Sequence, residues 1–233
     1  MKLAIMQPYF LPYIGYFQLL DAADEFITYD NIQYSKRGWI RRNRILVNGQ
    51  ASLFSLPLEK GSDYLDIVER RLADSFETAA SRILRRIEGA YRRSPYFPAV
   101  MPVVERCFAS PDRNLFTFIH ASMLIVRSYL GISTPITVSS SLKTDRGLKG
   151  QERVIATCRE RRAEHYLNPI NGRSLYDRRA FAEAGIRLSF LQSAVIEYPQ
   201  YGDDFVPSLS IVDVMMFNSV ETIRRYLKSF TLV

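Results

Sequence analysis

The sequence predicts an α/β fold: a mostly parallel, Rossmann-like sheet with helices on both faces, a β-hairpin and a helical insertion. Three observations point there. The stretch "LAIMQPYFLPYIGYFQLLDAADEFITYD", Leu3 to Asp30, reads as strand, turn, helix and strand. Leu3 to Met6 and Glu25 to Tyr29 are short apolar runs, and Ile14 to Ala23 has an apolar face at helical spacing. From Pro135 onward strands alternate with helices again, which implies parallel pairing with right-handed crossovers. Between these parts, Asn48-Gly49 separates two apolar runs, Arg44 to Val47 and Ala51 to Leu56. Both central residues of a type I′ hairpin turn need positive φ, which Asn and Gly tolerate.

The other elements follow in order. Asp74 to Leu130 has a helical pattern with breaks at Pro95, Pro98, Pro102 and Pro111, so two or three helices are expected as an insertion or cap over about 74–131 of a single domain. "PITVSSS" is a strand running into a polar loop, Gly150 to Arg162 a helix, and "HYLNP" a strand ending at Pro169. Tyr176 to Ala184 is a helix stopped by Gly185, a C-cap. "IRLSFL" is another strand, and Ser210 to Lys228 is a final helix, opened by Ser210 with Asp213 three positions on, close to a capping box.

Composition sets limits on function. A 233-residue chain with 47% hydrophobic residues can bury a substantial core. No apolar run approaches the roughly 20 residues of a membrane span. Gln7, Pro8 and Pro12 interrupt any signal-peptide pattern, so a soluble, cytoplasmic protein with no membrane partner is expected. Cys107 and Cys158 sit among apolar neighbours and read as core residues. The net charge of +7 gathers in clusters such as Lys36, Arg37, Arg41, Arg42 and Arg44. No helix-turn-helix, zinc-finger or RNA-recognition pattern accompanies it, so nucleic acid is not the expected partner. Phosphate-bearing small substrates account for the same excess.

In open α/β sheets the ligand sits past the carboxyl ends of the strands. The positions there are Gln7, Tyr9 and Pro12 after the first strand, Asp30, Asn31 and Gln33 after the second, Ser139 to Ser141 after a later one, and Asn168, Asn171 and Gly172 after "HYL". The first turn, Gln7 to Tyr13, is aromatic and proline-rich and lacks the glycines that let a diphosphate approach a backbone. The prolines are read as rigidifying a turn whose tyrosines and Gln7 recognise a ring and its hydroxyls. Lys36 and Arg42 are candidate anion anchors, and Trp39 and Tyr34 candidate stacking rings. Arg41 and Arg44 are expected to point at solvent from a strand. Each choice has a structural alternative: Tyr9, Tyr13 and Tyr16 as core rings, Asp30 as a turn cap, Trp39 as an anchor. His120 reads as a packing residue, and His165 falls at the wrong end of its strand for catalysis. No HExxH, zinc-cysteine cluster, serine elbow or Walker loop occurs, so no metal site is expected.

One partial similarity is to nucleotidyltransferases and related synthetases, which use a proline-bearing turn, a histidine at the helix start and a later Ser/Lys-rich loop. "PYFLPYIGYF" takes the first place, with Tyr16 where the histidine would stand, and "SSSLKTDRGLKGQ" the second. A closer resemblance rests on "MQPYFLPYIGYFQLL", "FITYDNIQYSKRGWIRRNRILVNG", "LKGQERVI", "YLNPINGRSLYD" and "FVPSLSIVDVMMFNSV". Over nearly the whole chain these resemble the WbqC-like family. That resemblance implies a cytoplasmic enzyme acting on an activated or amino sugar, since the family occurs among bacterial surface-polysaccharide and sugar-modification genes. It implies Gln7, Pro8, Tyr9, Pro12, Gly15, Asp30, Gln33, Lys36, Trp39, Asn43, Lys149, Glu152, Asn168 and Asp213 as motif positions.

The resulting expectation is acyl or aminoacyl transfer from a thioester, carried by coenzyme A, phosphopantetheine or an acyl carrier protein, to the amine of a nucleotide-linked amino sugar. Asp30 is the candidate base; Tyr9, Gln33 and Asn168 are candidate oxyanion or substrate donors. Gln7, Pro12, Tyr34, Lys36, Trp39, Arg42, Asn43, Lys149, Glu152, Asn168 and Asn171 form the candidate substrate-binding set. Two alternatives stand beside it. One is a nucleotide-dependent ligase or nucleotidyltransferase-like enzyme using Lys143, Lys149 and Arg153; the other is a non-catalytic adaptor for a carrier protein or nucleic acid.

Overall fold

The computed structural model describes residues 1–202 and 204–233. The chain runs β1 (Lys2–Met6), α1 (Ile14–Ala22), β2 (Glu25–Thr28), β3 (Arg42–Val47) and β4 (Gln50–Ser55). Next come α2 (Phe76–Tyr91), α3 (Phe97–Phe108) and α4 (Leu115–Leu130). The alternation resumes with β5 (Ile136–Val138), α5 (Gly150–Glu160), β6 (His165–Pro169), α6 (Arg178–Glu183) and β7 (Arg187–Ser193). It closes with α7 (Ile211–Phe217), α8 (Val220–Leu227) and β8 (Phe230–Leu232).

Six strands form one sheet in the order β5-β2-β1-β6-β7-β8, parallel except for β8, which pairs antiparallel with β7. The fold is therefore the mixed α/β class with a mostly parallel sheet, and β3 and β4 form a separate antiparallel hairpin. The period-2 alternation of strand side chains divides the core between the two faces. Leu3 and Ile5 pack with Val154, Cys158 and Phe181 of α5 and α6. Ala4 turns the other way, into a larger cluster with Phe17 and Leu20 of α1, Phe118 of α4 and Ile223 of α8. Because α1 lies inside this layer, Gly15 to Leu20 are all buried and the helix has no solvated face there. In α2 the apolar residues Phe76, Ala80, Ile83, Ile87 and Tyr91 recur at helical spacing and fix its inward side. The hairpin turn has φ of 50° at Asn48 and 74° at Gly49, as a type I′ turn requires.

Three expectations are corrected. The final helix is two helices, because Asn218 is extended and Ser219 starts a new cap, its side chain accepting from the Thr222 N–H. Ser210 caps α7 through the Val212 N–H, but Asp213 does not reach back. Its buried carboxylate instead accepts from the Tyr91 hydroxyl at 2.8 Å, the Tyr198 hydroxyl at 2.7 Å and the Gln200 amide at 2.7 Å. Pro102 lies within α3 without ending it, whereas Pro98 occupies the first turn, where a missing N–H is harmless. The sequence reading also had no counterpart to β8.

From β1 the chain moves outward through β2 to β5, then returns to place β6 on the other side of β1. The strand order reverses there, and at such a point the carboxyl ends diverge to open a crevice.

Candidate functional site

That crevice is a cleft of about 540 Å³. Gln7, Tyr9, Pro12 and Tyr13 line it from the β1–α1 turn, and Tyr29 and Ile32 from the end of β2. Trp39 enters from the loop before β3, Asn43 and Arg44 from β3, Asn168, Asn171, Gly172 and Tyr176 from the end of β6 and the turn after it, and Ser208 from the loop before α7.

The aromatic turn is held from three sides. Leu11 adopts a φ of 46°, a left-handed conformation that an L side chain rarely takes. Its carbonyl accepts from the Asn43 amide at 2.5 Å and from the Ser210 hydroxyl at 2.7 Å, so hairpin and α7 together hold the bend. The Phe10 N–H donates to the Ile40 carbonyl at 2.9 Å, and the Ile211 N–H to the Pro12 carbonyl at 2.8 Å. Tyr16 is fully buried, and its hydroxyl donates to the Gln7 carbonyl at 3.1 Å. The Tyr13 ring lies against Gly15 so closely that a Cβ there would overlap it.

On the β6 side, the Asn168 amide nitrogen donates to the Tyr166 hydroxyl at 2.8 Å, and that hydroxyl lies 3.4 Å from the one on Tyr176. Asn168 Oδ1 is packed against Gly172, where a Cβ would overlap it. Burial raises the pKa of Tyr9, Tyr13 and Tyr176, and pushes Tyr29 up to about 12 against the opposing effect of the Arg153 guanidinium. These cleft tyrosines are thus neutral hydroxyls at pH 7. Arg44 is the one charged side chain lining the cleft among the described residues. The arrangement offers hydroxyls and amides for a polyhydroxylated ligand, aromatic rings for its apolar faces, and one cation for an anion.

A family model matches residues 7–225, and its description is the WbqC-like protein family. The chain belongs to the WbqC-like family. A relative in Mycobacterium tuberculosis, described as an uncharacterized protein, is 29% identical over 219 residues, covering 93% of each chain. No solved structure matches the chain significantly.

In this WbqC-like protein the cleft collects Gln7, Tyr9, Pro12, Trp39, Asn43, Asn168 and Asn171 from the expected set. The others lie outside it. Asp30 is buried, with Oδ1 accepting from the Ser139 hydroxyl at 2.8 Å and the Ser140 N–H at 2.9 Å. It ties the end of β2 to the turn after β5 and does not line the cleft. Gln33 is tied to the Asp63 carbonyl, and the exposed Lys36 pairs with Asp63, so both face a second depression, separate in its lining from the cleft. Tyr34 is corrected from a stacking ring to a core ring: its hydroxyl accepts from Arg41 and its face is covered by Arg70. Lys149 and Glu152 are exposed at the start of α5. Lys143 is exposed too, while Arg153 is buried, hydrogen-bonded to Asn31 and stacked on Tyr29.

The reading of Arg41 and Arg44 as solvated is also corrected. Arg41 is engaged by Tyr34, Ser55 and Leu56, and Arg44 lines the cleft while Arg42 stacks on Trp39, which lines it. Tyr29 and Tyr176 were missed because nothing in their local spacing separates a cleft-facing tyrosine from a core one. Their position just past a strand end or its following turn was the available signal.

Proposed function

We propose that this protein is a transferase acting on an activated amino sugar, with the sugar in the switch-point cleft and an acyl or aminoacyl thioester as donor. One observation carries the reading: at the topological ligand position the cleft is built of neutral tyrosines and side-chain amides around a single arginine. That set matches a polyhydroxylated ligand bearing an anionic group, and supplies no carboxylate, histidine or cysteine among its described residues. Chemistry here therefore rests on positioning.

Aminolysis of a thioester suits such a site. The amine lone pair attacks the carbonyl, the C–N bond forms, the C–S bond breaks, and the departing thiolate takes up the ammonium proton directly or through water. An amine with a pKa near 8 supplies its own neutral form at pH 7–8, and alignment of two bound reactants is worth about 7–11 kcal/mol. The Gln7 amide and Tyr9 hydroxyl line the cleft and make no hydrogen bond among the described residues, which supports a role for them as donors to the substrate or the developing oxyanion.

The test is a thermal-shift and mass-spectrometric screen with nucleotide amino sugars and coenzyme A or pantetheine thioesters. A true ligand at about a hundred times its Kd raises Tm by roughly 5–10 °C for a chain of this size, and an acylated sugar appears when donor and acceptor are combined. Tyr9→Phe and Gln7→Ala are expected to lower kcat with Tm little changed. No Tm shift with any nucleotide sugar at millimolar concentration would remove the proposal.

A further inference from the structure

We propose that Arg42 and Arg44, gathered on Trp39, form a diphosphate subsite on the hairpin side of the cleft. The group it takes is the esterified diphosphate that nucleotide sugars and coenzyme A share. The assignment rests on the cleft being the ligand site proposed above.

The usual anion seat of an open α/β fold is the amino end of the first helix, where N–H groups are unpaired. Here the Tyr13 ring lies over that end, against Gly15, so an aromatic surface faces the ligand instead. A cation from elsewhere has to take the anion. Arg44 lines the cleft and is the charged group that does so among the described residues. Its guanidinium carbon stands 5.3 Å from the Trp39 ring centroid, and that of Arg42, two positions earlier on the same strand, is also at 5.3 Å. Backbone carbonyls aim both side chains: Arg44 donates to Ser208, which holds a φ of 57°, and Arg42 to Arg37.

Neither guanidinium has a carboxylate partner among the described residues. The Nε of each is buried with no acceptor among the described residues. Arg41, one position away, differs: its Nε and Nη1 are on Tyr34, Ser55 and Leu56. Two like charges collected on one indole, with unused buried donors, make an unfavourable arrangement that a multivalent anion relieves. A guanidinium fork matches phosphoryl oxygens through paired N–H donors, and two forks held on one indole can serve the two phosphoryl groups of a diphosphate. The amides and tyrosines deeper in the cleft then meet whatever the diphosphate carries.

Trp39 is the single tryptophan of the chain, so its fluorescence reports on this subsite directly. Inorganic pyrophosphate is the first probe, followed by a uridine diphosphate amino sugar and coenzyme A, with calorimetry in parallel. The wild type is expected to show a saturable change in emission and an affinity that falls with added salt. Arg44→Gln weakens pyrophosphate binding at least about tenfold and Arg42→Gln about threefold or more, whereas Lys36→Gln, paired outside the cleft, binds as the wild type does. Arg44→Lys keeps the charge but not the fork, gives an intermediate loss, and serves if the glutamine variant does not fold.

Equal affinity in the wild type and the Arg44 variants overturns the subsite, as does the absence of any saturable signal or heat with all three probes. Pyrophosphate binding that needs Arg44, without tighter binding of any nucleotide sugar, supports the subsite while the amino-sugar reading fails. Nucleotide-sugar binding indifferent to Arg44 does the reverse. The tighter of the nucleotide sugar and coenzyme A, each dependent on Arg44, identifies which source of diphosphate the subsite serves.

Discussion

Asn168 shows how one side chain is fixed by two neighbours at once. Its amide nitrogen is committed to the Tyr166 hydroxyl, and its oxygen is packed against Gly172. Gly172 does not have positive φ, so its role is to leave space and not to supply a turn. Gly172→Ala is expected to displace the Asn168 amide, break its bond to Tyr166 and cost about 1–3 kcal/mol. Urea unfolding reads the loss of stability, and titration with a nucleotide amino sugar reads a parallel loss of affinity; unchanged values for both would mean that Asn168 repositions freely. Only part of this was legible beforehand. Asn168 and Gly172 were placed at the strand edge by counting past "HYL", because strand ends are set by short-range pattern. The division between Trp39, 40% exposed and in the cleft, and Tyr34, buried beneath Arg70, was not legible. Two aromatics five residues apart in a loop carry the same local signal, and long-range packing decides between them.

At the scale of elements, the β1–α1 turn depends on the hairpin. Asn43 sits on β3, yet its amide nitrogen donates to the Leu11 carbonyl and its oxygen accepts from the Arg44 N–H, so one side chain joins the strained turn to the strand that carries the cleft arginine. Asn43→Ala removes both bonds and leaves the Leu11 carbonyl to Ser210 alone. The expected cost is about 1–3 kcal/mol, read as a lower urea midpoint, together with a greater sensitivity of residues 7–13 to hydrogen exchange than elsewhere in the sheet. A variant with normal stability and normal exchange over that turn would show that the hairpin merely lies beside it. The hairpin and most strands were visible in the sequence because Asn-Gly turns and period-2 apolar runs are local signals. The split between α7 and α8 was hidden because apolar residues continue at helical spacing through it, while Asn218 is turned out of the helix and donates from its side chain to the Val214 carbonyl. β8 was hidden because three residues at a sheet edge carry almost no periodicity.

At the scale of the whole molecule, only part of the positive charge that the composition assigns to phosphate-bearing substrates reaches the cleft. Of the hairpin-side cluster, Lys36 is spent on Asp63, Arg41 is spent on internal hydrogen bonds, and Arg42 and Arg44 flank Trp39. Net charge is a property of composition, whereas the position of a cation is set by pairing, and pairing is tertiary. The same holds for titration. The chain has only two histidines, and the fold lowers the pKa of both. Burial is the main cause for His120, with Asp30 opposing it; for His165 burial is joined by Arg187, Lys2 and the N-terminus. The unfolded chain therefore binds protons at these sites before the native one does, so stability rises with pH across the interval between the lowered values and 6.5. Their contribution is fully present above about pH 6.5 and is lost as pH falls through the lowered native values. Burial raises Asp66 and Asp213, which act with the opposite sign: their contribution is present below the usual carboxylate range and is lost as pH rises through their native values. Denaturant unfolding from pH 7.5 to pH 5 should accordingly show a decline in the wild type that is shallower in His120→Gln with His165→Gln. Parallel wild-type and variant curves would assign the decline to the carboxylates elsewhere in the chain, and a rise on acidification would show that Asp66 and Asp213 outweigh the histidines.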